Sequence, residues 1–358
     1  MTAPLFSVLI DTYNHERFIE EAVRSVLAQD FPVSEREILV VDDGSTDRTP
    51  EILRKFEPQV RILRKTNGGQ ASAFNHGIPE CRGQLIAFLD GDDSWTPDKL
   101  RVVCDLMAAN PSIGMMGHAF ACSSEGNAPY VISPDQDLFI NLRDPRSAPI
   151  FRLHRCFFGT SRLILRSDVA QKSLPVPESL VFEADEYLFT IAAALTGALI
   201  KAEPLTHYRI HDSNLYMNAS GSAASEMRKQ GVLESLAIEL NRKLPSLGLD
   251  PGTVRMVVEI VAAEATQIRL KHTGGWSWET VRTETSLYRM QHYDTPLSGR
   301  TLRALSMIPA LLLPPRSFYA LRGWLSSQRW YLYFRKNVVP APPPQFSEGK
   351  ERGDALTR

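Results

Sequence analysis

The sequence predicts an α/β protein, with a mostly parallel sheet covered by helices on both faces and a helical C-terminal region after it. Two observations predict this. Through the first 120 residues, short apolar runs alternate with stretches of helical periodicity, the pattern of strands joined by crossover helices. From 223 to 291 only helical stretches remain. A third observation bears on function. Polar clusters directly follow the apolar runs, and in open parallel sheets ligands bind beyond the carboxyl ends of the strands.

Residues 6–10 are a short apolar run and read as a buried strand. In 15–29, Phe18, Ile19, Ala22, Val23, Val26 and Leu27 share one helical face. Residues 37–41 form the next strand, and 48–56 a helix capped by Thr46 or Asp47. A strand at 60–63, a short helix at 70–78, a strand at 85–89 and a helix at 98–109 follow. Residues 122–149 are rich in Ser, Pro, Asn and Asp and read as a long irregular loop. Order returns with a strand at 160–165, a helix at 187–195 and short strands at 198–202 and 205–210. Three helical stretches span 223–291, broken near Leu247-Gly248 and Gly274-Gly275. The Pro-rich end, 339–358, reads as a disordered tail.

The 358 residues are 43% hydrophobic and 23% charged, enough for about two domains with a sizeable core. The net charge of −1 gives no basic field for nucleic acid. Its distribution is uneven. Residues 295–347 hold seven Lys or Arg and no acid, so an acidic body precedes a basic, apolar segment. Cys81, Cys104, Cys122 and Cys156 make no Cys-x-x-Cys pair, which fits a reduced, cytoplasmic protein without zinc. No signal peptide is expected, and no apolar stretch reaches the roughly 18 residues a bilayer span needs.

The strongest single feature is Asp90-Gly91-Asp92-Asp93 after the fourth strand. Three close carboxylates repel unless partnered, and a hard cation such as Mg²⁺ or Mn²⁺ resolves this with oxygen ligands. The bland alternative is a solvated turn capping the next helix. Asp42 follows the second strand and could accept a hydrogen bond from a nucleobase or ribose, whereas Asp43 and Asp47 suit a turn and a cap equally well. Tyr13 offers a face for stacking a base. Asn67-Gly68-Gly69-Gln70, with Ala71, Ala73 and Asn75, leads a Gly turn into a helix of small residues. That arrangement suits phosphate oxygens or a plain turn.

In order and spacing, Val8–Asn14, Val40–Asp47, Asn67–Asn75 and Phe88–Asp93 with Pro97–Leu100 resemble family 2 glycosyltransferases of the GT-A fold. The resemblance implies a catalytic domain over 1–220. Residues 1–120 would be its nucleotide-sugar-binding half and 121–220 its acceptor and catalytic half, with a helical region at 221–338. It implies that Thr12, Tyr13, Asn14, Asp42, Gly69, Asn75 and Asp90 line the donor nucleotide. Asp92, Asp90 and His211 would hold Mn²⁺ or Mg²⁺. The family usually has Pro where this chain has Asp11, which adds a carboxylate beside the base pocket. Inverting transfer needs a carboxylate base for the acceptor hydroxyl. In Phe182–Leu188 the resemblance favours Asp185, with Glu183 as the alternative. Tyr208–Asn214 also resembles a family element, in which Arg209 would pair with phosphate.

The expected activity is inverting transfer of a sugar from a nucleotide-diphosphate sugar, UDP- or TDP-linked by preference, to a saccharide or lipid-linked acceptor in cell-envelope glycan synthesis. A nucleotidyltransferase is the rival enzyme, but no glycine-rich phosphate loop follows the first strand. A non-catalytic nucleotide-sugar-binding protein would be expected to lose the Asp-x-Asp pair or the late carboxylate, and both remain. Residues 300–336 either contact an anionic membrane at its inner face or pack on the catalytic domain.

Overall fold

The computed structural model describes residues 3–126, 128–212, 214, 223–273, 278–291 and 308–326. Strands β1 (Phe6–Thr12), β2 (Arg36–Asp42), β3 (Arg61–Arg64) and β4 (Leu85–Asp90) alternate with helices α1 (Ile19–Leu27), α2 (Thr49–Arg54) and α3 (Gln70–Gly77). β5 (Ser94–Trp95) and α4 (Lys99–Ala109) follow, then the long strand β6 (Ile113–Ser124). Three short elements come next, β7 (Tyr130–Ile132), β8 (Leu138–Ile140) and α5 (Ser147–His154). β9 (Ile164–Arg166), α6 (Ser167–Lys172), α7 (Ala184–Leu195) and β10 (Gly197–Ile210) complete the sheet. The helical region comprises α8 (Ala223–Lys243), α9 (Pro251–His272), α10 (Trp278–Gln291), α11 (Ile308–Leu312) and α12 (Pro315–Ser326).

The sheet order is β3-β2-β1-β4-β9-β6-β10-β5, with β7 on β6 and β8 on β10. β3, β2, β1 and β4 pair in parallel, as do β6 and β10. β9 runs against both its neighbours, β4 and β6. Alternation along β1 sends Phe6, Val8 and Ile10 to the core under α1, α2 and α4 and Leu9 to the opposite core. That second core continues without a break from Phe74 and Phe88 through Phe151 and Phe189 to Leu236, Val257 and Ile260 of α8 and α9.

The structure corrects three expectations. Residues 122–149 are not one irregular loop, because β7, β8 and part of α5 lie in them. Residues 198–202 and 205–210 belong to one strand, whose register shifts around Pro204. Proline cannot donate to the ladder, and a bulge accommodates it. Residues 160–165 are a 3₁₀ turn, Thr160–Arg162, followed by β9. At the C-terminus, Ala310 and Phe318 are buried beside Val281, and Arg322 pairs with the buried Glu284. The described part of that segment therefore packs on the helical region. The Gly274-Gly275 break, residues 300–307 and 327–336, and the Pro-rich tail lie outside the described residues.

Candidate active site

Asp11 and Asp90 stand side by side because β1 and β4 are parallel neighbours in register. β5 pairs antiparallel with β10, Ser94 opposite His207 and Trp95 opposite Thr206. This draws the 90–93 loop against the end of β10. There the Arg209 amide donates to Asp93 Oδ1 (2.9 Å), and Arg209 Nε donates to the Asp92 carbonyl (3.1 Å). His211 Nε2 lies 3.0 Å from Asp92 Oδ2, and the Asn214 amide donates to the same oxygen at 3.3 Å. The His211 ring packs on Phe18, with centroids 4.3 Å apart. From the other side, His15 Nε2 comes within 3.9 Å of Asp92 Oδ2, while its Nδ1 lies 3.2 Å from Thr12 Oγ1. Only glycine fits at 91, since a Cβ there would meet Thr12 Oγ1 at 2.6 Å and His15 Nδ1 at 2.7 Å.

The carboxylates of this loop are buried and crowded. Burial, with the charges of Asp92 and Asp185, pushes Asp11 up to about 8. Burial and the neighbouring carboxylates raise Asp90 well above the ordinary range. Burial and Asp92 push Asp93 up to about 7. Burial also works against an ionised Asp92, but the hydrogen bond from His211 and the charges of His15 and His211 outweigh it and hold Asp92 low. Asp11 Oδ1 and Asp93 Oδ2 are buried without hydrogen-bond partners. Asp90, Asp92 and Asp93 each present an oxygen, all within 4.8 Å of one another. Convergent carboxylates that resist ionisation fit a hard divalent cation.

Opposite this loop, the first turn of α7 carries Asp185. Its Oδ2 accepts from the Thr160 amide (3.0 Å) and hydroxyl (3.2 Å), and its Oδ1 from the Glu186 amide (2.9 Å). Its charge reaches Asp11 and Asp90. Glu183 precedes α7 at φ 59°. Burial, then Glu186 and Asp185, push it up to about 8 against the nearby cations Lys229 and Arg155. Arg155 bonds both Glu186 and Glu264 of α9.

Of the residues expected to line the nucleotide, Thr12 is buried and Tyr13 is 41% exposed. Asp42 is buried; its Oδ1 accepts from the Ser45 amide, and its Oδ2 has only Arg64 Nε, 3.4 Å away. Three residues expected to line the donor also have partners within the protein. Asn14, at φ 56°, accepts from the Thr46 amide (2.8 Å) and ties two loops together. Gly69, at φ 83°, packs so closely on Val181 that a Cβ would lie 2.7 Å from its backbone. The Asn75 amide is taken up by both the N–H and the carbonyl of Val176. Asp43 takes the turn role, accepting from Lys65 Nζ (2.6 Å) and the Gly69 amide (2.7 Å). His15 is the site residue that sequence reasoning missed; its signal was its i+3 spacing from Thr12.

A curled, mostly parallel sheet with an acidic loop at the ends of its central strands defines a GT-A glycosyltransferase fold. The profile of the family described as Glycosyl transferase family 2 matches residues 7–169. An uncharacterized glycosyltransferase of Nostoc sp. is 32% identical over 250 residues, covering 68% of this chain and 76% of that one. The chain belongs to glycosyltransferase family 2, enzymes that transfer a sugar from a nucleotide sugar. Two solved structures share the fold. Staphylococcus aureus TarS in complex with UDP-GlcNAc matches with a TM-score of 0.56 at 20% identity, over 87% of each chain. A mannosyltransferase of Pyrobaculum calidifontis with GDP-Man and Mn²⁺ matches with a TM-score of 0.54 at 18% identity, over 93% of this chain and 84% of that one.

Proposed function

We propose that this chain is an inverting, divalent-cation-dependent glycosyltransferase acting on a saccharide or lipid-linked acceptor in cell-envelope glycan synthesis. The observation that carries the reading is the placement of Asp185, held by Thr160 and close enough for its charge to act on Asp11 and Asp90. Asp185 takes the proton of the acceptor hydroxyl as that oxygen attacks the donor's anomeric carbon. Glu183 is the weaker candidate, because its charge does not figure among those acting on Asp11 and Asp90, whereas that of Asp185 does.

Asp90, Asp92, Asp93 and His211 would hold Mn²⁺ or Mg²⁺. When bound, the cation supplies neutralisation of the leaving diphosphate. Asp42 Oδ2, without a hydrogen-bond donor of its own, is suited to the imide N–H of uracil or thymine, which favours UDP- or TDP-sugars. Thr12 and Tyr13 line the nucleoside. The test is a donor-hydrolysis screen over UDP-, TDP- and GDP-sugars with Mn²⁺. Turnover of one donor class, stopped by a chelator, is expected. No turnover of any donor would overturn the reading.

Peripheral contact with an anionic bilayer through 300–336 belongs to the same reading. One face of α11 and α12 packs, while Ile308, Leu312 and Trp324 are 46%, 73% and 57% exposed. Such amphipathic segments with Trp and Arg suit the headgroup region. The protein should co-sediment with anionic vesicles, less so at high salt, and a Leu312→Ser/Trp324→Ser variant should sediment less. Equal sedimentation of the two would exclude this face as the anchor.

A further inference from the structure

Pro97-Asp98-Lys99-Leu100 belongs to the family resemblance, yet the proposed chemistry gives it no task. Lys99 is fully buried. Its ammonium sits 3.8 Å from the Trp95 ring centroid and has no carboxylate in hydrogen-bond contact among the described residues. Burial, with the nearby Arg162, holds its pKa well below the usual lysine range. A buried cation in such surroundings costs stability unless it organises something. What it reaches is the Ser161 carbonyl, at 2.8 Å. Trp95 Nε1 (3.1 Å) and Thr206 Oγ1 (2.8 Å) donate to the same oxygen.

The turn pinned in this way touches both halves of the site. The Ser161 hydroxyl accepts from the Asp90 amide at 3.1 Å and lies 3.4 Å from Asp90 Oδ2. One residue earlier, the Thr160 amide and hydroxyl hold Asp185 Oδ2. Gln70 braces the arrangement, donating to Thr160 Oγ1 (3.0 Å) and accepting from the Ala184 amide (3.1 Å) at the start of α7.

We propose that the Thr160-Ser161 turn is a rigid bridge that sets the spacing between the donor-side carboxylate Asp90 and the acceptor-side carboxylate Asp185, with Lys99, Trp95 and Thr206 as its pins. These are positioning residues, and the inference rests on the roles proposed above for Asp90 and Asp185. Two carboxylates on opposite sides of a reacting carbon must hold their separation closely, because small displacements are costly in rate.

The two ends of the turn give different signatures. Thr160→Val should lower kcat about tenfold, the scale of one hydrogen bond to a charged group, with donor KM and Mn²⁺–UDP affinity within about twofold. Thr160→Ser should restore kcat. Ser161→Ala should instead weaken Mn²⁺–UDP binding, read by calorimetry, by about fivefold, from the loss of a bond to a ligand's support. Thr206→Val, which touches neither carboxylate, should do both, and it keeps the test open where Lys99→Met fails to fold. In an Asp185→Asn background, Thr160→Val should add less than about twofold, since coupled residues are not additive. Additive losses, or a Thr206→Val variant with unchanged kcat and affinity, would overturn the bridge. If wild type turns over no donor, the function reading fails, and the calorimetric pattern of Ser161→Ala and Thr206→Val still judges the turn.

Discussion

The chain carries two acidic loops of nearly the same composition, and the fold treats them in opposite ways. Asp42-Asp43-Gly44-Ser45 follows β2, and Asp90-Gly91-Asp92-Asp93 follows β4. Around the first, Lys65, Arg64 and the amides of Ser45, Gly68 and Gly69 surround the carboxylates. Around the second, three of the four carboxylates that meet at Asp90, counting Asp11, are pushed toward the protonated form. The lesson is one of completion. Asp43, whose two oxygens are both bonded within the protein, is scaffold, whereas Asp42 Oδ2 and the carboxylates of the second loop are left available to a ligand.

The comparison is most sharply tested by removing one acid from each loop. Asp92→Ala should abolish transfer and Mn²⁺-dependent nucleotide binding with the fold intact; unchanged turnover would sink the cation assignment. Asp43→Ala should instead cost about 3 kcal/mol of stability, as expected for breaking a buried ion pair, read by denaturant titration. Asp42→Ala, in the same loop, should chiefly raise donor KM, because it removes binding to a part of the donor that does not react.

Next in size is the acceptor side. Asp185→Asn should lower kcat by about a hundredfold or more with donor affinity retained, and Glu183→Gln should not. The reverse result would transfer the base role to Glu183.

A further test addresses the unsatisfied charge itself. Asp11 titrates near 8 in the folded protein against an ordinary 3.8, so between those values the folded state keeps a proton that the unfolded chain has lost. Its contribution to stability therefore declines as pH rises through that window. Asp11→Asn mimics the protonated side chain. Its melting temperature, measured without metal, should exceed that of wild type by a margin that grows from pH 5 to pH 8. A margin that stays constant would show that Asp11 is ionised throughout.

Most of the first 110 residues are legible because β1 to β4 and the helices between them have clear periods, whereas the two-residue β5 has none. β6 was not recognised, since Gly114, Gly117, His118 and Ala119 interrupt its apolar run. β7 and β8 are three residues each, too short to show a period. The acidic loop and Asp185 could be found from local motifs. Lys99 and the Thr160-Ser161 turn could not, because their meaning lies in partners far away in sequence. Lys99 meets Ser161 and Thr206, and Thr160 meets Asp185. The same holds for Gly69 and Asn75, whose residue types suit a phosphate turn but whose partners are Val181 and Val176.

The antiparallel strand β9 has a consequence for how the chain is made. Leu85–Asp90 pairs with β1 on one edge, and its partner on the other edge, Ile164–Arg166, is synthesised much later. At about 5–20 residues per second, that edge stays bare for several seconds. During this interval the nascent protein has its donor loops but an open, apolar strand border, a template for pairing with another chain. The 160–166 segment is thus both the joint of the finished site and the stitch that closes the sheet, so variants there should lower the yield of folded protein during synthesis by more than their effect on the finished fold.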